Sequence, residues 1–264
     1  MAPIPNVILM AGSEMRFQNK VVLITGATSG IGRVAATTFA SHGADVVLTG
    51  RRKELGMEVV RLIRDRGGNA IFVHGDVCRE EDVDKAVQAA VQQFGRLDIA
   101  FNNAGTEGHL GPLHEETAEN IGQVIDVNVK GMLYAMKYEI RAMLKSEGGS
   151  IINNASVAGH IGYSNAVIYT ASKHAVIGAT QAAALEVIKW NIRINAVSPA
   201  GIETEMLNRF VPGTIQRQEY ATSHPIGRTG KPEEVVAAVL WLASPESAFV
   251  VGHSLLIDGG YTAQ

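Results

Sequence analysis

Short apolar runs alternate along the chain with longer segments of helical periodicity, beginning near residue 20. The apolar runs are rich in β-branched residues and predict strands at about 21–24, 45–48, 70–73, 97–101, 150–153, 192–197 and 253–257. Because neighbouring positions in each run are both apolar, both faces of the strands must be covered, which is typical of a parallel sheet between helix layers. Helices are expected at about 30–42, 52–66, 80–94, 117–146, 166–190 and 233–242. The pattern predicts an α/β fold with an open, doubly wound parallel sheet.

Glycine is over-represented, since it fills 28 of the 264 positions against an average share of about 7%. Apolar residues make up 46% of the chain and there are only 8 prolines, which excludes a disordered or collagen-like protein. Several glycines fall in the turns after predicted helices, where a left-handed residue ends a helix: Gly43, Gly67, Gly68, Gly95, Gly148 and Gly149. We expect a single globular domain over residues 20–264, preceded by an N-terminal arm or leader at 1–19.

The charge balance and the cysteine content limit the partners and the compartment. With a formal net charge of −3, the chain offers no basic field for nucleic acid. Cys78 is the sole cysteine, which excludes an internal disulfide and fits a reducing compartment. No Lys or Arg precedes Arg16, and no apolar stretch is long enough to span a bilayer. We expect a cytoplasmic protein with a small-molecule partner and without a nucleic-acid or membrane partner.

A glycine-rich turn joins the first predicted strand to the first predicted helix. Its sequence, T-G-A-T-S-G-I-G at residues 25–32, places Gly26, Gly30 and Gly32 where a backbone must curl tightly. Such a turn lets a pyrophosphate approach and directs free N–H groups and the helix dipole at it. The turn therefore predicts dinucleotide binding, with contacts also from Thr28, Ser29 and Ile31. The alternative is a tight strand-to-helix turn that binds nothing.

The residues that follow the next strands indicate which dinucleotide is bound. The second strand ends at Arg51 and Arg52, without the carboxylate that accepts the ribose 2′-hydroxyl of NAD. A guanidinium matches a phosphate, so NADP(H) is favoured, with NAD as the alternative. If the arginines are only solvated charges at a helix start, this preference disappears. Further cofactor contacts are expected after the third and fourth strands, from Asp76, Val77, Asn102, Ala104 and Gly105.

Candidate catalytic side chains lie after the fifth predicted strand and in the helix that follows it. Ser156 comes after the strand, and Tyr169 and Lys173 are four residues apart, which places phenol and ammonium on one helix face. The ammonium should lower the phenol pKa, so that Tyr169 serves as acid and base while Ser156 donates to the developing oxyanion. Asn128 is expected to hold a water that passes protons to Lys173. Tyr and Lys are often four apart by chance, so this assignment depends on the glycine turn.

Other site chemistries lack their motifs. The histidines show no H-E-x-x-H or similar spacing, so no metal site is expected. No G-x-S-x-G elbow surrounds Ser156, which argues against a serine hydrolase. A dinucleotide-binding scaffold without chemistry is the alternative from another class, and the intact set of polar side chains disfavours it.

Over residues 18–261 the chain resembles the short-chain dehydrogenase/reductase family. The resemblance is carried by the glycine turn, N-N-A-G at 102–105, Asn128, Ser156 and Y-x-x-x-K at 169–173, all in the family's order. It implies a Rossmann-type three-layer sandwich with a seven-stranded parallel sheet, hydride transfer with NAD(P), and an Asn-Ser-Tyr-Lys tetrad whose Tyr169 and Lys173 also contact the cofactor. It further implies nicotinamide contacts from Pro199, Ile202 and Thr204, although Ala200 replaces the usual glycine after the proline. A homotetramer is expected from the resemblance alone.

The last third of the chain departs from the regular alternation and predicts the substrate side. Residues 203–228 mix apolar and polar positions around Pro212-Gly213 and are expected to form a substrate-binding lid. The expected pocket is mostly apolar, comprising Ser156, Val157, Ala158, His160, Tyr163, Met206 and Phe210. We therefore expect an NADP(H)-dependent enzyme that interconverts a ketone or 3-oxoacyl group and a secondary alcohol (EC 1.1.1.-). An NAD-dependent secondary-alcohol or sugar dehydrogenase stays open, and a sugar-nucleotide epimerase or dehydratase ranks lower.

Overall fold

A seven-stranded parallel sheet forms the centre of the computed structural model, which describes residues 15–264. The strands β1 to β7 are Val21–Thr25, Asp45–Gly50, Asn69–His74, Ile99–Asn102, Gly149–Asn154, Ile192–Pro199 and Ser254–Ile257. They lie side by side in the order β3-β2-β1-β4-β5-β6-β7. The sheet is thus the doubly wound, Rossmann-type sheet that the sequence predicts.

Helices connect the strands and cover both faces of the sheet. Helices α1 to α9 are Gly30–Ser41, Lys53–Asp65, Glu80–Phe94, Ala118–Ile125, Gly131–Met143, Val167–Val187, Glu205–Phe210, Thr214–Thr222 and Pro232–Ala243. The helix predicted at 117–146 contains a π-helical segment at Asp126–Lys130, which joins α4 to α5. The segment predicted as a lid forms α7 and α8.

Alternate residues of the strands pack against opposite helix layers. In β2, Val46 and Leu48 belong to the apolar cluster that includes residues of α1, α2 and α9. Val47, between them, belongs to the cluster that includes residues of α3, α5 and α6. On the α2 side, Gly56 packs so closely on β3 that a Cβ there would lie 2.2 Å from the Phe72 ring. Burial on both faces explains why the strands appear as continuous apolar runs in the sequence.

The predicted N-terminal arm lies mostly outside the described residues, which begin at Met15. Phe17 is buried and lies edge-on to Phe39, with 5.0 Å between the ring centroids. The chain is therefore packed on the fold from at least Phe17, three residues before the predicted domain start. Within residues 15–264, no helix is both long and apolar enough to cross a membrane.

A buried polar network lies between β4, β5 and the α5–α6 layer. Asn102 Nδ2 donates to Glu139 Oε2 and to Asn153 Oδ1, both at 3.0 Å. Burial raises the pKa of the Glu139 carboxyl to about 8, while the hydrogen bond from Asn102 acts in the opposite direction. Glu139 Oε1 and Asn102 Oδ1 have no hydrogen-bond partner among the described residues. Both unpaired oxygens belong to the hydrogen-bonded pair of Asn102 and Glu139. A protonated Glu139 carboxyl, which can donate a hydrogen bond, therefore suits this site.

Candidate active site

Two adjoining depressions lie at the carboxyl ends of the strands. The long cleft, with about 1460 Å³ of empty space, runs from the ends of β1 and β2 to the loop after β4. The inner pocket, with about 690 Å³, lies between the end of β5, α6 and α7. They share boundary residues, including Ile31, Asn154 and Thr204. β1 pairs with β2 on one side and with β4 on the other, so the long cleft lies at the switch point where such sheets bind ligands.

The glycine turn between β1 and α1 forms the floor of the long cleft. Gly26 has a φ of +63°, and a Cβ there would lie 2.9 Å from Ala104 Cα. A Cβ on Gly32 would lie 2.5 Å from Gly26 O and from Asn103 Nδ2. α1 begins at Gly30 with no acidic residue in its first turn, so its N–H groups and dipole remain suited to an anion. The turn thus fits a dinucleotide pyrophosphate.

Asn103 holds this turn in place and was not among the predicted site residues. Its Nδ2 donates to Thr25 O and Gly26 O, both at 3.1 Å, and its Oδ1 accepts from Asn154 Nδ2 at 3.0 Å. One side chain therefore connects the ends of β1, β4 and β5. Its place in the N-N-A-G sequence was a usable signal, because an amide after a buried strand commonly bonds to nearby backbone.

The end of β2 presents two arginines at the far end of the long cleft. Arg52 donates to Thr28 Oγ1 from Nε at 3.1 Å and from Nη2 at 2.9 Å, and to Ser29 Oγ at 2.5 Å. Arg51 is largely exposed, with Nη1 3.9 Å from Asp76 Oδ2. Asp76 also accepts from the Cys78 N–H at 3.0 Å. The β2 terminus itself carries no carboxylate, as the NADP(H) hypothesis requires.

Ser156, Tyr169 and Lys173 come together in the inner pocket. Lys173 Nζ lies 5.5 Å from the centroid of the Tyr169 ring and donates to Asn154 O at 2.7 Å. Burial lowers the pKa of Lys173 to about 8. Burial also raises the pKa of Tyr169 to about 12, although a hydrogen bond with Ser156 opposes this rise. Desolvation is thus the largest influence on the Tyr169 pKa in this structure, and its direction is opposite to the lowering expected from Lys173.

Asn128 lies in the π-helical segment and is buried. Its Nδ2 donates to Thr106 O at 2.8 Å and to Ser172 Oγ at 3.0 Å, and its Oδ1 accepts from Thr106 N at 2.8 Å. These bonds join the loop after β4 to α6. Gly105 lies between Asn128 and Lys173, since a Cβ there would be 3.4 Å from Asn128 Oδ1 and 3.7 Å from Lys173 Nζ.

Aromatic rings form the substrate side of the inner pocket. Phe210 of α7 is edge-on to Tyr163 and Tyr169, with centroid distances of 5.9 and 6.1 Å. The Tyr163 and Tyr220 hydroxyls are 3.4 Å apart, and burial raises the pKa of Tyr163. The Tyr220 ring packs on Gly201, where a Cβ would lie 2.4 Å from Cε1. The glycine after the unusual Pro199-Ala200 pair is thus the position that admits the Tyr220 ring from α8.

Most predicted site residues line one of the two depressions. The long cleft is lined by Gly26, Thr28, Ser29, Gly30, Ile31, Arg51, Arg52, Asp76, Val77, Ala104, Gly105 and Thr204. The inner pocket is lined by Ser156, Val157, Ala158, Tyr163, Tyr169, Lys173, Pro199, Ile202, Met206 and Phe210. Lining residues that the sequence did not predict include Asn103, Gln123, Asn154, Glu205, Arg209 and Tyr220.

The structure corrects two predicted positions and clarifies a third. Asn102 does not face the long cleft, because its amide is held behind the sheet by Glu139 and Asn153. His160 does not line the inner pocket, because its Nε2 lies 3.1 Å from Ser198 Oγ and 3.0 Å from Ser254 Oγ. Gly32 lies beneath the cleft and permits the close packing of the turn.

Comparison with known proteins agrees with this geometry. A family model described as "Enoyl-(Acyl carrier protein) reductase" matches residues 26–262. The cyclohexanol dehydrogenase of Acinetobacter sp. (strain SE19) is 43% identical over 249 residues, which cover 94% of this chain and 97% of that protein. A solved levodione reductase has a TM-score of 0.91 at 33% identity and covers 94% of this chain and 99% of its own. A structure described as ElxO with NADP bound has a TM-score of 0.87 at 36% identity, covering 93% and 99% of the two chains.

These similarities, the sheet and the ordered site residues define the class of protein. The chain belongs to the short-chain dehydrogenase/reductase family. It is accordingly an NAD(P)-dependent oxidoreductase that acts on CH–OH groups and the corresponding carbonyls. Within residues 15–264, no group of three or more His, Cys, Asp or Glu side chains is arranged to hold a metal ion.

Proposed function

We propose that this protein is an NADP(H)-dependent oxidoreductase that interconverts a cyclic ketone and its secondary alcohol, with Tyr169 as acid and base. The observation that carries the proposal is the position of Ser156, Tyr169 and Lys173 in an aromatic pocket that opens onto the glycine-floored cleft. The bound nicotinamide would supply or accept the hydride. The protein's own side chains would orient the substrate and move the proton.

Tyr169 suits the role of the acid in ketone reduction. A phenol with a pKa of about 12 is protonated at neutral pH and has a proton to give to the carbonyl oxygen. Ser156 bonds to the same phenol and would donate to the developing oxyanion. A charged Lys173 beside the ring stabilises the phenolate that is left behind. Asn128 would hold a water through which Lys173 regains contact with solvent protons.

The cofactor assignment rests on the end of β2. Arg51 and Arg52 lie in the long cleft and the strand end carries no carboxylate, which suits a 2′-phosphate. The similar ElxO structure is described with NADP bound. We expect kcat/KM to be at least about 10-fold higher with NADPH than with NADH, as one charge-assisted phosphate contact supplies. Parallel absorbance assays measure this ratio, and a preference for NADH would overturn the assignment.

The substrate assignment rests on the walls of the inner pocket. Tyr163, Phe210 and Tyr220 present ring faces and edges, and Met206 adds a flexible apolar side chain. The similar proteins named for cyclohexanol and levodione are consistent with a ring substrate. A sugar, with its many hydroxyls, would leave polar groups unpaired against these walls. A screen that compares cyclohexanones, 3-oxoacyl thioesters, sugars and open-chain ketones tests the class.

The central test is the replacement Tyr169→Phe. We expect a loss of about 10²- to 10⁴-fold in kcat, because the phenol oxygen performs the proton transfer. Cofactor binding, measured by NADPH fluorescence, should remain. Tyr138→Phe is the matched control, since the Tyr138 hydroxyl bonds Glu80 away from both depressions. Full turnover by Tyr169→Phe would refute the mechanism, and binding of NADPH without turnover of any carbonyl by the wild type would favour a non-catalytic scaffold.

We also propose that the protein is a cytoplasmic homotetramer with a single catalytic domain over residues 20–264 and a lid at 203–228. The family resemblance suggests the assembly, and exposed apolar side chains on α5 and α6 and before β7 support it: Leu133, Leu185 and Phe249. The single Cys78 fits a reducing compartment. Light scattering coupled to gel filtration measures the subunit number, and cell fractionation measures the location.

A further inference from the structure

Helix α7 crosses the long cleft and is held there by two ion pairs. Glu205 in its first turn accepts from Arg52 Nη1, with 3.2 Å between Nη1 and Oε2. One turn later, Arg209 donates from Nε to Glu107 Oε1 at 2.5 Å and from Nη2 to Oε2 at 3.3 Å. Glu107 is buried in the loop after β4, whereas Arg52 and Glu205 are exposed. The helix thus contacts the end of β2 and the end of β4 through side chains four residues apart.

The pair at the β2 end involves Arg52, which belongs to the proposed NADP(H) site. Arg52 already donates to Thr28 and Ser29, so its guanidinium is fixed over the place expected for the ribose 2′-phosphate. The Glu205 carboxylate occupies a remaining donor of that guanidinium. A phosphate arriving there, with close to two negative charges, meets an anion that shares its partner. The unphosphorylated ribose of NAD does not meet this competition.

We propose that Glu205 is a specificity-determining residue, which weakens the binding of 2′-phosphorylated nucleotides by competing for Arg52. The inference rests on the proposed dinucleotide site and adds a residue from the lid to the selection between NADP and NAD. Displacement of the carboxylate by phosphate also removes one of the two ion pairs that hold α7. Binding of a 2′-phosphate is therefore coupled to release of the adenosine end of the lid.

The test uses binding of cofactor fragments, which needs no turnover. Isothermal titration measures 2′,5′-ADP, which carries the 2′-phosphate, and 5′-AMP, which lacks it, on the intact protein. We expect Glu205→Gln to tighten 2′,5′-ADP by about 3- to 5-fold, because the phosphate then no longer has to displace a carboxylate from an exposed ion pair with Arg52. The affinity for 5′-AMP should change by less than about 2-fold. Higher salt should reduce the difference between wild type and variant, because the charges are partly exposed.

Two further variants separate competition from general effects. Glu203→Gln removes an equal charge two residues earlier, where Glu203 accepts from Thr229 Oγ1 at 3.2 Å and does not line the long cleft. It should leave both affinities unchanged. Arg52→Gln should weaken 2′,5′-ADP, and Glu205→Gln should then bring no gain in that background. This dependence on Arg52 is the outcome that a change in lid stability alone would not produce.

Several results would overturn the inference. These are an equal effect of Glu205→Gln on both nucleotides, an equal gain with Glu203→Gln, or a gain that persists without Arg52. If the wild type binds 5′-AMP but no 2′,5′-ADP, the NADP assignment fails, yet the inference stands when Glu205→Gln restores 2′,5′-ADP binding. If the wild type binds neither nucleotide, the dinucleotide site and this inference fail together.

Discussion

Replacement of Glu139 by glutamine tests the buried network behind the active site. Glu139 is fully buried, and its carboxyl pKa rises from the ordinary value of 4.5 to about 8. The folded protein therefore holds a proton that the unfolded chain has released between these two pH values. The contribution of Glu139 to the free energy of unfolding is largest below pH 4.5, falls as the pH rises towards 8, and is constant above pH 8. Glutamine is neutral throughout, so Glu139→Gln should lack this pH dependence.

The magnitude follows from the two pKa values. At 1.36 kcal/mol for each pKa unit, the linkage costs the wild type roughly 1 kcal/mol at pH 5.5 and roughly 4 kcal/mol at pH 7.5. The stability of Glu139→Gln relative to the wild type should thus increase by roughly 2–3 kcal/mol between these pH values. The glutamine carbonyl can still accept from Asn102 Nδ2, as Glu139 Oε2 does at 3.0 Å.

Urea unfolding at both pH values and at one fixed subunit concentration measures the difference. Glu186→Gln is the control, because it removes an exposed carboxylate from α6 without touching the network. A relative stability of Glu139→Gln that is the same at pH 5.5 and 7.5 would show that Glu139 is ionised in the folded protein. A lowered carboxyl pKa would give the same flat profile, because a group that is ionised in both states above pH 5.5 contributes no pH dependence there.

Three other predictions concern burial and close packing. Burial lowers the pKa of Lys173 from 10.5 to about 8, so its contribution to the free energy of unfolding decreases as the pH drops between these values. Relative to Lys173→Met, the free energy of unfolding of the wild type in urea should fall by about 2 kcal/mol from pH 9.5 to pH 7. Absence of this fall would refute the burial of the Lys173 ammonium. Gly56→Ala should lower the free energy of unfolding by about 1–3 kcal/mol, because the added methyl group overpacks β3. In the control Gly122→Ala, the added Cβ lies in open space and should stabilise α4 by about 0.5–1 kcal/mol. Equal effects of the two variants in urea unfolding would contradict the packing at Gly56. Gly201→Ala should displace Tyr220 and raise the KM for substrate roughly 10-fold in steady-state assays, and an unchanged KM would mean that this contact does not shape the pocket.

The sequence predicted the fold because burial on both faces leaves a direct pattern. Val46, Val47 and Leu48 are apolar in succession, although they belong to different clusters. The ends of the strands were predicted less accurately, since they depend on single side chains. β4 begins at Ile99 instead of residue 97, and directly before it the Asp98 carboxylate accepts from the Val21 N–H at 3.0 Å and pairs with Arg96. Local propensity contains no information on such long-range bonds.

The site was predictable where motif and position coincide, as for Gly26 and Tyr169. It was not predictable where a contact arises only from tertiary packing. The direction of the Asn102 amide depends on Glu139, which is distant in the sequence. The π-helical segment that carries Asn128 has no recognisable sequence signal, and the charges of α7 acquire meaning only beside the end of β2.

The pairing of β1 with both β2 and β4 has a consequence for how the protein folds. Gly26 and Ala104 meet only after β4 has joined β1, so a chain that has formed only β1–β3 has no complete nucleotide-binding surface. Such non-local parallel pairing is a slow step. We therefore expect nucleotide to bind only after β4 has joined β1 and not to accelerate folding up to that step. We expect it to prolong the lifetime of the folded protein by slowing unfolding, while the refolding rate stays the same.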